Sequence, residues 1–80
     1  MRIAICDDNE IQIDIFMHRI NNFLKRNGDI KALITPYDKG QPLIDDVADG
    51  EWYDIVVLDI VLREENGIEV AKELRSSGYN

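Results

Sequence analysis

Three aspartates in this chain each follow a short apolar run: Asp7 and Asp8 close Ile3-Ala4-Ile5-Cys6, and Asp59 closes Ile55-Val56-Val57-Leu58. Carboxylates gathered in one place repel, and they coexist when a cation or a proton joins them. An all-oxygen donor set suits a hard divalent cation, Mg²⁺ first among them. A carboxylate is also a competent nucleophile toward an activated phosphoryl group. For the aspartates to meet, the two runs must be neighbouring strands of a parallel sheet, because the carboxyl ends of such strands form the ligand crevice. The runs fit this requirement: continuous, rich in β-branched residues, and patterned like strands buried on both faces.

The remaining elements follow from periodicity and punctuation. The first strand spans about residues 2–7. Asn9 or Asp8 then caps a helix running to about Asn27, with Ile13, Phe16, Met17, Ile20, Phe23 and Leu24 on one face. Lys25 and Arg26 suit the last turn, and Gly28 stops the helix. Ile11 and Ile15 lie on the opposite face, and His18 reads as surface. Lys31 to Thr35 reads as a second strand, with Pro36 ending its ladder role. Asp38-Lys39-Gly40 is a turn, and Gln41 to Asp49 a short helix with Leu43, Ile44, Val47 and Ala48 inward, ended by Asp49-Gly50. Tyr53 to Ile60 is the third strand, with Trp52 and Tyr53 packing at its entrance. A loop over Val61 to Asn66 leads through Gly67 into a helix whose Ile68, Ala71 and Leu74 face the core, ending at Ser76-Ser77-Gly78. Strands alternating with helices imply right-handed crossovers and a parallel α/β sheet.

The bulk properties bound the rest. Eighty residues hold one domain with a small core. Sixteen acidic against nine basic residues give a formal net charge of −7, which disfavours a nucleic-acid or anionic-membrane surface. Most of those acids belong to a solvated surface. The single cysteine, Cys6, forms no intrachain disulfide and reads as a small buried hydrophobe. The early apolar stretch is too short for a signal-peptide core, and no run approaches membrane-spanning length. The expected setting is soluble and cytoplasmic.

The joint spacing of Asp7-Asp8, Asp59 and Gly67 resembles the receiver domain of bacterial two-component response regulators. The stretches Tyr53-Asp54-Ile55-Val56-Val57-Leu58-Asp59-Ile60 and Asn66-Gly67-Ile68-Glu69-Val70-Ala71 look especially like receivers of LytTR-type regulators. The resemblance implies a flavodoxin-like doubly wound sheet, here βαβαβα with strand order 2-1-3. It implies that Asp59 is the phosphoacceptor and that Mg²⁺ is held by Asp7, Asp8, Asp59 and the backbone carbonyl of Val61. Asp8 would be the more direct ligand, and Asp7 would act partly through water. The phosphoryl donor would be a phosphohistidine on a sensor histidine kinase. The output would pass to a downstream domain, usually DNA-binding in this family. Such a domain is a phosphoacceptor in signalling and not a turnover enzyme.

Departures from the family pattern matter too. Arg63 stands where proline is common, and Glu64 and Glu65 read as loop acids. Receivers carry five strands, with a hydroxyl residue ending the fourth and a lysine ending the fifth. No residue here can be assigned either role: Lys39 and Lys72 are misplaced, and Ser76 and Ser77 come too early. Residues 1–80 are therefore expected to be a partial receiver, lacking the last two βα units and phosphorylated poorly by itself. An open third strand is expected to promote self-association; a stable monomer in sedimentation at high concentration would contradict that.

Two other readings compete. A receiver-like interaction module would bind partners without phosphorylation, which leaves the three aspartates unexplained. A haloacid-dehalogenase-type phosphatase also starts from a strand-end aspartate, but it needs a second aspartate two residues on, where this chain has Val61.

Overall fold

The computed structural model describes residues 1–59, 66–76 and 78. Its elements are β1 (Arg2–Cys6), α1 (Glu10–Arg26), β2 (Leu33–Tyr37), α2 (Gly40–Ala48), β3 (Ile55–Leu58) and α3 (Gly67–Ser76). The three strands are parallel in the order β2-β1-β3, with Cys6 registered against both Tyr37 and Leu58. This is the α/β, βαβαβα architecture with order 2-1-3 that the alternation of elements implied.

Side chains alternate across β1 and divide the core in two. Ile3 and Ile5 pack with Ile13, Leu24, Phe16, Met17 and Ile20 of α1, joined by Val57 of β3. Ala4 and Cys6 pack on the other face with Leu43 and Val47 of α2, Val70 and Leu74 of α3, and Tyr37 and Tyr53. One helix therefore covers one face and two cover the other, which is double winding. Cys6 is 1% exposed and behaves as the small core residue expected.

Several expectations are corrected. β1 is buried from Ile3 to Cys6, whereas β3 is an outer strand, half-buried from Val56 to Leu58 and exposed at Ile55. The third strand begins at Ile55, and Ile60 lies outside the described residues. β2 is displaced two residues from the expected span and runs through Pro36. Leu33 N–H donates to Met1, and Tyr37 carbonyl accepts from Asp7, so the odd-numbered residues of β2 face β1. Pro36, being even, turns its missing N–H to the open edge and breaks no ladder bond. Phe23 is exposed because it lies at the margin of the α1 stripe, about 100° from its neighbour Leu24. Ala48 is likewise exposed, Ile68 is exposed while Val70 is buried beside Leu74 in α3, and Trp52 is exposed while Tyr53 is buried. Ile11 and Ile15 are exposed, as their place opposite the main stripe implied. No helix among the described residues is long and apolar enough to cross a membrane.

Candidate metal centre

At the carboxyl edge of the sheet, Asp7, Asp8 and Asp59 converge, each offering an oxygen within 4.8 Å of the others. Their convergence follows from the backbone. Asp7 extends β1 by one residue and donates its N–H to the Tyr37 carbonyl at 3.0 Å, in step with the β1–β2 ladder. Asp59 extends β3 in the same way. Cys6 is registered against Leu58, so the parallel ladder aims the N–H of the next residue, Asp59, at the Cys6 carbonyl. It donates there at 3.0 Å. The same register carried one residue further sets Asp59 opposite Asp7, so the two side chains leave the sheet edge on one face.

The start of α1 forms the opposing wall. The Asn9 side chain accepts from the N–H groups of Ile11 at 3.0 Å and Gln12 at 3.2 Å, so Asn9, rather than Asp8, is the cap. Asp7 Oδ1 in turn accepts from the Asn9 N–H at 2.9 Å. The acid pair is thus built into the turn that launches the helix. Asp7 is buried at 7% exposure, and Asp8 and Asp59 are half-buried.

The three aspartates, with Asn9, Gln12 and Phe16, line an open depression of about 410 Å³. A smaller hollow of about 270 Å³ continues beneath Asp59, between Phe16, Ile5 and Val57. Gln12 and Phe16 are lining residues that motif reasoning missed. Their spacing from Asn9, three and then four residues, is the signal that could have found them, since it sets all three on one helix face. Val61, Arg63, Glu64 and Glu65 lie outside the described residues. His18 is exposed on α1, and Thr35 is half-buried in β2.

The donor set suits a hard cation. Oxygens on opposite sides of Mg²⁺ lie roughly 4.2 Å apart, and those of Ca²⁺ roughly 4.6–5.2 Å. A spread of up to 4.8 Å therefore accommodates a divalent ion of this class, with small side-chain rotations for the smaller one. Neither the protein-family models nor the curated proteins give a match to this chain.

Proposed function

We propose that this chain is the phosphoacceptor part of a two-component receiver domain, with Asp59 taking a phosphoryl group from a histidine kinase. The observation that supports this most is the convergence of Asp7, Asp8 and Asp59 at the carboxyl edge of a β2-β1-β3 sheet. Half-buried and one residue past the end of β3, Asp59 has the accessible, strand-end position a nucleophile needs. One carboxylate oxygen of Asp59 attacks phosphorus as the P–N bond of the donor phosphohistidine breaks. The imidazole leaves with a proton from solvent, and an acyl phosphate remains on Asp59.

Asp7, Asp8 and Asp59 would hold Mg²⁺, with the carbonyl at Val61 as the further ligand that the resemblance supplies. When bound, the ion neutralises the charge of phosphoryl oxygens and carboxylates together. Asp7, fixed by its bonds to Asn9 and Tyr37, sets the position of the pair. The setting is cytoplasmic, and the output passes to a downstream domain controlling transcription.

The test is to mix the protein with Mg²⁺ and a small phosphoramidate donor and to read intact mass. One hydroxylamine-labile phosphoryl group is expected, at low yield, and none in Asp59→Asn. An adduct that persists in Asp59→Asn would overturn the assignment. Turnover of a generic phosphate ester that Asp59→Asn abolishes would favour the phosphatase reading instead.

A further inference from the structure

Asp7 is held in line by a bond to the end of an outer strand. Tyr37 is the last residue of β2, and its carbonyl is the acceptor for the Asp7 N–H. The end of a five-residue outer strand would ordinarily fray. Here it is fastened from the opposite face of the sheet. The Tyr37 ring is buried and meets the Tyr53 ring edge-on, with centroids 6.2 Å apart. Its hydroxyl donates to Asp46 Oδ2 of α2 at 2.6 Å. That uses its single proton, so the 2.6 Å contact between the two tyrosine hydroxyls has Tyr53 as donor. The chain Tyr53–Tyr37–Asp46 thus links the residues before β3, the end of β2 and the middle of α2.

We propose that Tyr37 is a positioning residue for the acidic centre: its hydroxyl bonds fix the carbonyl that holds the Asp7 backbone. The role rests on reading the three aspartates as a metal and phosphoryl site, and it ties that site to α2. A displacement of α2 that breaks the Tyr37–Asp46 bond loosens Asp7 while leaving Asp59, held by Cys6 on the other side of β1, in place.

The test compares wild type with Tyr37→Phe, which keeps the ring and removes both hydroxyl bonds. Amide hydrogen exchange is read at Asp7 and Asp59, and Mg²⁺ affinity by titration with the metal alone. Protection of the Asp7 amide is expected to fall about tenfold more than that of Asp59. Mg²⁺ binding should weaken by roughly threefold to tenfold, at or below the usual range for residues supporting a metal ligand. Asp46→Ala should reproduce both effects if Tyr37→Phe folds poorly, and Asp46→Asn, which retains an acceptor, should restore near-wild-type values. Equal loss of protection at both amides, or an unchanged Mg²⁺ affinity in Tyr37→Phe, would overturn the role of Tyr37 alone. A wild-type chain indifferent to Mg²⁺ would overturn the metal reading and the positioning role with it.

Discussion

The two ends of the same three strands treat charge in opposite ways. At the amino edge, acids meet a cation and backbone donors. The Arg2 guanidinium lies 2.6 Å from Glu51 and 5.1 Å from the centre of the Tyr53 ring, and the Arg2 N–H donates to Asp54 at 2.7 Å. The bond to Glu51 is the main reason the guanidinium holds its proton still more firmly than usual. At the carboxyl edge, three carboxylates face one another within 4.8 Å. The β1–β3 ladder keeps its register through Asp59 and is out of step at the Arg2 end, where the Asp54 N–H donates to the Arg2 carbonyl. The amino edge is arranged for stability. The carboxyl edge gathers like charges, an arrangement that a bound cation would favour.

Divalent metal should reverse this asymmetry, and that is the largest effect expected. At about 100 times its dissociation constant, Mg²⁺ should stabilise the wild-type fold by ~2.7 kcal/mol in thermal or urea melts. Asp59→Asn should gain none of it. In metal-free buffer the order should invert, with Asp59→Asn about 1 kcal/mol more stable than wild type through relief of repulsion. A variant less stable than wild type without metal would place the acids among the stabilising elements and erase the contrast.

Between the two edges, Tyr37 gives a pH signature. Burial, followed by its bonds to Asp46 and Tyr53, pushes the Tyr37 hydroxyl well above the ordinary tyrosine value of 10.0. A raised value in the fold means that the unfolded chain loses this proton first. The contribution is therefore complete below pH 10.0 and declines as the pH rises beyond it. Urea melts at stepped alkaline pH should show a steeper loss for wild type than for Tyr37→Phe. Parallel curves would mean that Tyr37 does not contribute in this range.

The smallest effect belongs to the amino edge. Arg2→Met should lower the melting temperature slightly, because the ion pair with Glu51 is half-exposed. The difference should shrink further at high salt. A loss independent of salt would assign the role of Arg2 to packing on Tyr53.

Much of this arrangement was legible in the sequence because local patterns carry it. Ile3-Ala4-Ile5-Cys6 reads as a buried strand because it is one, flanked on both sides, and the aspartates after it fall at the crevice by strand geometry alone. Asn9 and Gly28 bound α1 through cap and left-handed conformations that few other residues supply. What escaped depended on neighbours. The span of β2 is set by pairing with β1, so Pro36 fits within it in a way its own chemistry does not announce. β3 reads as fully buried but lies at an edge, a fact of sheet order and not of composition. The Tyr53–Tyr37–Asp46 chain consists of tertiary contacts with no signature in residue spacing.

The most direct test is an NMR titration with Mg²⁺ of the wild-type chain beside Asp8→Asn and Asp59→Asn. Saturable shifts at Asp7, Asp8, Asn9 and Asp59 are expected in wild type, and each substitution should abolish or greatly weaken them. Equal responses in all three proteins, or none in wild type, would contradict an acidic centre at the carboxyl edge of this sheet.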